Sequence, residues 1–157
     1  MPKSVIETVD LTQLLESTSE LYRNSDVSVL LQIEKGEKFL INADREQMLR
    51  VFNNLIKNGI QAVSENDKPI IKIGLKKEGR ECKISISDNG SGIPEELRDK
   101  IFVPNFTTKT SGMGLGLAMV KNIVESANGD ISFQSETGNG TTFYVSLPLA
   151  GDLELTK

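Results

Sequence analysis

The segment 42–63 constrains the fold more than any other stretch of the chain. At about 100° per residue, Met48, Val51, Phe52, Leu55, Gly59, Ala62 and Val63 fall on one side of a helix. Asn42 or Asp44 stands where its N-cap belongs. A helix with one apolar side must lie on an apolar surface, and the neighbouring sequence supplies strands to make one. Residues 70–75 and 81–87 alternate apolar and polar side chains, as half-buried strands do, and are joined through Gly79. Residues 130–134 and 141–147 read the same way around Gly138-Asn139-Gly140. Ahead of them, Val5, Ile6 and Val9 suit a short edge strand. Asp10 or Thr12 can cap a helix to about Tyr22, with Leu11, Leu14, Leu15 and Leu21 on its apolar side. Residues 27–33 and 39–41 are expected to form a hairpin across the turn Lys35-Gly36-Glu37-Lys38. A further helix over 113–127 is expected to open at Gly112 and stop at Asn128-Gly129, and a short one fits 94–100. Strands interrupted by helices without regular βαβ alternation predict an α+β, two-layer sandwich. Its sheet is mixed and mostly antiparallel, with about three helices covering one face.

The 157 residues suit one domain, and a net charge of −4 argues against a nucleic-acid surface. No apolar run approaches the roughly 20 residues of a membrane span, so no direct membrane contact is expected. A single cysteine, Cys82, shares the alternating side of Ile84 and Ile86 and reads as core. Lacking a disulfide partner, it fits a reducing, cytoplasmic setting. The chain contains no histidine.

Beside the apolar side of the long helix runs a stripe of Gln47, Asn54, Asn58, Gln61 and Glu65. Asparagine is a poor interior helix residue. The stripe is either a solvated edge or a set of hard, neutral ligands suited to a magnesium ion that also holds phosphate oxygens. Asn53 projects elsewhere and reads as exposed. Asp88-Asn89-Gly90-Ser91-Gly92 follows directly on a strand. It is either an ordinary turn or a carboxylate placed to accept the N6 hydrogens of adenine, which would disfavour guanine. Residues 88–111 form a long connection rich in Gly, Pro, Thr and Asn, of a length usually functional or mobile. Phe102 and Phe106 either pin it to the core or gate a pocket. It leads into Gly112-Met113-Gly114-Leu115-Gly116-Leu117, whose alternate glycines can turn backbone N–H groups toward an anion at a helix start. The alternative is a flexible hinge. Lys109 is the nearest cation before it.

Asn54-Leu55-Ile56-Lys57-Asn58, the Asp88 turn, the Phe-containing segment, the alternating glycines and Gly138-Asn139-Gly140-Thr141 stand here in a distinctive order. This order resembles the catalytic and ATP-binding domain of two-component sensor histidine kinases, within the gyrase, Hsp90, histidine kinase and MutL group. The likeness spans about residues 9–149. Residues 101–109 resemble the short lid of nitrogen-regulation-type kinases.

The resemblance implies a Bergerat-type fold and an Mg-ATP site. Asn58 would hold magnesium and Asn54 would support it, as the catalytic pair. ATP would be bound by Asn54, Asn58, Gln61, Asp88, Gly90, Gly92, Ile93, Lys109, Gly112, Met113, Gly114, Leu115, Gly116, Leu117 and Thr141. Asp88 and Thr141 would meet adenine, and the glycines after Lys109 would line the phosphates.

Three departures stand out. Gly59 replaces the usual alanine, at a helix cost of roughly 1 kcal/mol. Gln61 replaces a basic residue often found there. The acceptor histidine and its dimerisation hairpin are absent, so residues 1–8 read as a lead-in from them and 150–157 as a tail. Related hydrolases carry glutamate where Asn54 stands, which implies phosphoryl transfer in preference to hydrolysis. The implied partners are a histidine-bearing dimerisation domain of the parent kinase and a response regulator, with the isolated chain a monomer. The alternative is a nucleotide-dependent regulatory module that transfers nothing.

Overall fold

The computed structural model describes residues 4–23, 26–63, 68–104 and 116–150. Its order is β1 (Ile6–Asp10), α1 (Leu11–Glu20), β2 (Ser28–Ile33), β3 (Leu40–Asp44), α2 (Arg45–Ala62), β4 (Ile70–Glu78), β5 (Glu81–Asp88), α3 (Leu117–Ser126), β6 (Asp130–Glu136) and β7 (Gly140–Pro148). A single 3-10 turn at Glu95–Leu97 stands where a short helix was expected. Five strands form one sheet in the order β2-β4-β5-β7-β6, and β1 and β3 form a separate antiparallel pair.

The hairpin expected between β2 and β3 is absent. β2 pairs in parallel with β4, Val29 opposite Ile71 and Leu31 opposite Ile73. β3 pairs with β1, Ile41 opposite Val9. Burial explains the split. Phe39, Ile41 and Ala43 are all buried, and the Phe39 carbonyl accepts from Leu11 N–H, so the chain is tied to the start of α1 before β3. At its end Asp44 caps α2, accepting from the Glu46 and Gln47 N–H groups. It also takes the Val5 N–H.

All three helices cover one face. Across the central strands the inward rows are apolar: Ile73, Ile86, Phe143 and Phe133 form one, and Leu75, Ile84, Val145 and Ile131 the next. Cys82 is buried among them. Phe52, Leu55 and Ile56 of α2 pack on this face fully buried, and truncating Phe52 to alanine would cost about 3–5 kcal/mol. The opposite face, with Lys72, Lys76, Ser85 and Tyr144, is uncovered. α1 ends before Leu21, which is exposed, and Thr18 takes its place in the core by bonding back to the Leu14 carbonyl. α3 begins at Leu117 because Gly116 has φ +95°, which a right-handed helix cannot continue through. It stops as the sequence predicts, with Asn128 at φ 63° and Gly129 N–H returning to the Val124 carbonyl.

Candidate functional site

One row of the inner face breaks the apolar pattern. Ile71 of β4 lies opposite Asp88 of β5. Asp88 is bonded to Thr141 of β7, which lies opposite Ser135 of β6. These three polar side chains end the sheet at the edge where the chain leaves β5 and enters β7. The two strands are jammed together there. Gly140 has φ +104°, and a Cβ on it would lie 2.0 Å from the Asp88 carbonyl oxygen, so no other residue fits.

Asp88 is half-buried, and burial raises its pKa above the ordinary carboxylate range, partly offset by bonds from Gly90 and Thr141. The distribution of those bonds is uneven. Oδ1 accepts from Gly90 N–H at 2.9 Å and from Thr141 N–H at 3.3 Å. Oδ2 accepts none among the described residues. It lies 3.9 Å from where a Cβ on Gly59 would stand. Gly59 therefore does more than weaken a helix: its missing methyl leaves room for Ile71, whose Cδ1 would be 2.8 Å from that Cβ.

The neighbouring residue in α2, Asn58, is 3% exposed. Its amide N–H donates to Asn54 Oδ1 at 3.2 Å, one helical turn away. Asn58 Oδ1 accepts no hydrogen bond among the described residues. A buried amide oxygen without a donor is costly, and a hard cation shared with phosphate oxygens is one chemistry that satisfies it. No group of three or more acidic, cysteine or histidine side chains able to hold a metal occurs among the described residues. A metal at Asn58 would thus draw its remaining ligands from elsewhere. Gly116 abuts the same stripe, a Cβ there standing 2.7 Å from Asn54 Nδ2.

The amide stripe is therefore no solvated edge at Asn54 and Asn58, although Gln61 in the last turn is exposed. Asn53, expected to be exposed, accepts from the Tyr22 hydroxyl and ties the end of α1 to α2. Gly90 and Gly92 pass close under the backbone carbonyls of Ala62 and Glu136. Ile93 is buried and gives its N–H to Ser135 Oγ at 2.7 Å. Leu117 is buried at the start of α3. Asn89 staples the turn from outside, accepting from Ile70 N–H and donating to the Lys68 carbonyl. Phe102 packs edge-on against Phe133, ring centroids 5.9 Å apart, which pins the long connection to the core at that point. Phe106, Lys109, Gly112, Met113, Gly114 and Leu115 lie outside the described residues.

Ser135 was missed in the sequence. The signal was present: with Ile131 and Phe133 on the inner side of β6, alternation carries Ser135 to the same side. A cleft of about 560 Å³ beyond the turn is walled by Glu95 and Glu96 together with Ala62, Gly92 and Thr137. Its two carboxylates make it unsuited to phosphate.

The family model for histidine kinase-, DNA gyrase B-, and HSP90-like ATPases matches residues 43–151. The chain belongs to that family. Sporulation kinase C of Bacillus subtilis strain 168 is 34% identical over 93% of this chain and 35% of its own length. Sensor histidine kinase ZraS of Escherichia coli K12 is 37% identical over 92% of this chain and 31% of its own. The chain thus spans about a third of the curated relatives it matches. Among solved structures, the nucleotide-free catalytic domain of histidine kinase ThkA superposes with a TM-score of 0.79 at 30% identity, covering 92% of this chain and 96% of that one. ThkA in complex with the response regulator protein TrrA gives 0.75 at 28% identity, over 94% of this chain and 42% of that one. The domain is a catalytic, ATP-binding domain of the histidine kinase type, with the Bergerat-type fold of those neighbours. No helix among its described residues is long and apolar enough to cross a membrane.

Proposed function

We propose that this ATP-binding domain holds Mg-ATP along α2, adenine at Asp88 and phosphates at Asn54 and Asn58, and donates the γ-phosphoryl group to a histidine on a separate domain. One observation carries the reading. Two oxygens without partners among the described residues, Asp88 Oδ2 and Asn58 Oδ1, belong to the surroundings of a single helical segment, Gly59 backing onto Asp88 and Asn58 preceding it. The first suits the N6–H of adenine, and a half-buried carboxylate repels the O6 of guanine. The second suits magnesium. Asn58 would hold the ion, Asn54 would fix the Asn58 amide, and Gly90, Gly92, Ile93 and Thr141 would wall the base. Gly116 and Leu117, with Lys109 and the stretch Gly112-Met113-Gly114-Leu115 before them, would take the phosphates. Gln61, exposed in the last turn of α2, completes that end. Magnesium, when bound, neutralises charge on the phosphate oxygens.

The chain's own part in the reaction is positioning. An imidazole nitrogen of the acceptor forms a bond to the γ-phosphorus as the bond to the β,γ-bridging oxygen breaks, ADP leaves and the imidazole proton passes to solvent. Asn54 has no basic atom near neutrality, so it cannot activate water. Transfer is therefore favoured over hydrolysis. The nucleophile must come from outside these residues, which contain no histidine. The phosphoryl group then passes to a response regulator, a step supported by the ThkA complex with TrrA.

The test is γ-labelled ATP with this chain and a purified histidine-bearing hairpin domain from a related kinase. Label on the hairpin, lost when its histidine is replaced, is expected. Nucleotide binding without any transfer to a panel of such hairpins would favour a regulatory module.

A further inference from the structure

The hydroxyl of Ser135 is the one polar group of the inner row that the proposed reading leaves without a part. Its oxygen accepts the Ile93 N–H at 2.7 Å and lies 2.9 Å from Thr141 Oγ1 and 3.4 Å from the Gly140 carbonyl. It has one proton to give. The contact to Thr141 is within the usual range for O–H···O bonds, and the one to Gly140 is well beyond it. If Ser135 donates to Thr141, the Thr141 hydroxyl proton is left without an acceptor among the described residues, on a side chain only 4% exposed. Its neighbour in the row, Asp88, holds Oδ2 free as an acceptor.

We infer that Ser135 is a positioning residue for base recognition: it sets the Thr141 hydroxyl as a donor beside the Asp88 acceptor, so that the pair reads the N1 and N6–H edge of adenine. An acceptor next to a donor complements that edge, where N6–H donates and N1 accepts. Guanine presents the reverse pattern, O6 accepting and N1–H donating. Thr141 reaches N1 itself or a water held by it. By also taking the Ile93 N–H, Ser135 fixes the wall 90–93 to the same hydroxyl, so wall and donor move together. This inference rests on the adenine reading above.

The experiment is calorimetric titration of the whole chain and its Ser135→Ala and Ser135→Thr variants with three purine nucleotides. These are ADP, 1-deaza-ADP, which lacks the N1 acceptor, and purine riboside diphosphate, which lacks the N6 amine. The unaltered chain should bind ADP about tenfold more tightly than either analogue, the worth of one hydrogen bond. In Ser135→Ala the preference for N1 should fall to about one while the preference for N6 persists. Ser135→Thr, which keeps the hydroxyl, should restore the first. If Ser135→Ala keeps its N1 preference, or loses both preferences together, Ser135 merely supports the fold and the inference is overturned. Equal binding of ADP and 1-deaza-ADP by the unaltered chain overturns it too and leaves the Asp88 reading standing. Failure of the unaltered chain to bind any of the three removes both.

Discussion

The amide of Thr141 donates to Oδ1 of Asp88 at 3.3 Å, from a strand 53 positions later. With Gly90 on the same oxygen at 2.9 Å, the carboxylate is held rigidly by one end and left open at the other. Such a group costs the free protein stability, because its charge is half-desolvated and only one oxygen is compensated. Asp88→Asn keeps an acceptor for both backbone donors and removes the charge. It should raise the thermal midpoint at neutral pH, read by calorimetry, even as it harms binding. A lower midpoint would mean that the charge itself is stabilising.

The pH dependence follows with a definite sign. Burial raises the Asp88 pKa in the free fold above its unfolded value, ordinarily about 3.9. The fold then binds more protons than the unfolded chain, so this residue's contribution to stability falls as pH rises through that window. Nucleotide binding runs the other way, since an N6–H donor favours the carboxylate. Affinity for ADP should be full near neutrality and decline as pH drops through the raised pKa, with proton uptake on release. Titrations in buffers of different ionisation heat detect that linked proton, and Asp88→Asn should abolish it. Asp44 opposes Asp88 in the stability profile. Its bond from Val5 lowers its pKa, so its support is present above the unfolded value and lost as pH falls through the folded one.

Gly59 is where helix propensity and packing conflict. Alanine would gain up to about 1 kcal/mol of helix propensity, but its Cβ would stand 2.8 Å from Ile71 Cδ1. The far end of an isoleucine can yield, so Gly59→Ala should change stability by less than about 1 kcal/mol. Gly59→Val, with two more carbons directed at a fully packed row, should lose about 1–3 kcal/mol. Urea unfolding of both variants checks the contrast. A valine variant as stable as the parent would show that Ile71 does not fill this space.

Much of this was legible because it is local. The apolar side of α2 and the paired strands around Gly79 and Gly138 follow from spacing alone, and each cap was narrowed to two residues, of which the structure uses Asp10 and Asp44. The pairing of β2 with β4 was hidden because it is parallel and spans α2, whereas β3 lies nearer in sequence and invites a hairpin. What decides against that hairpin is burial of Phe39 and Ile41 in the core beside β1 and the start of α1, which no local pattern expresses. The site divides the same way. Asp88, Asn54 and Asn58 stand out in the sequence through the order of motifs that carries the family resemblance, but the surroundings of Ser135 and Gly59 come only from neighbours brought in by the sheet.

Tyr22 and Asn53 offer a check on the helix layer away from the site. The Tyr22 hydroxyl donates to Asn53 Oδ1, and burial raises its pKa. Tyr22→Phe should cost about 1 kcal/mol, measured by chemical denaturation, with ADP affinity unchanged. A large loss of affinity would show that this bond also holds Asn54 in place.

The central claim is that Asp88 and Asn58 serve opposite ends of one nucleotide. Calorimetry with a non-hydrolysable ATP analogue, with and without magnesium, on the unaltered chain, Asp88→Asn and Asn58→Ala tests it directly. Asn58→Ala should keep the magnesium-free affinity and lose the gain that magnesium brings. Asp88→Asn should weaken binding at least about tenfold in both conditions. An Asp88→Asn chain that titrates like its parent, with the same magnesium dependence, would contradict the account.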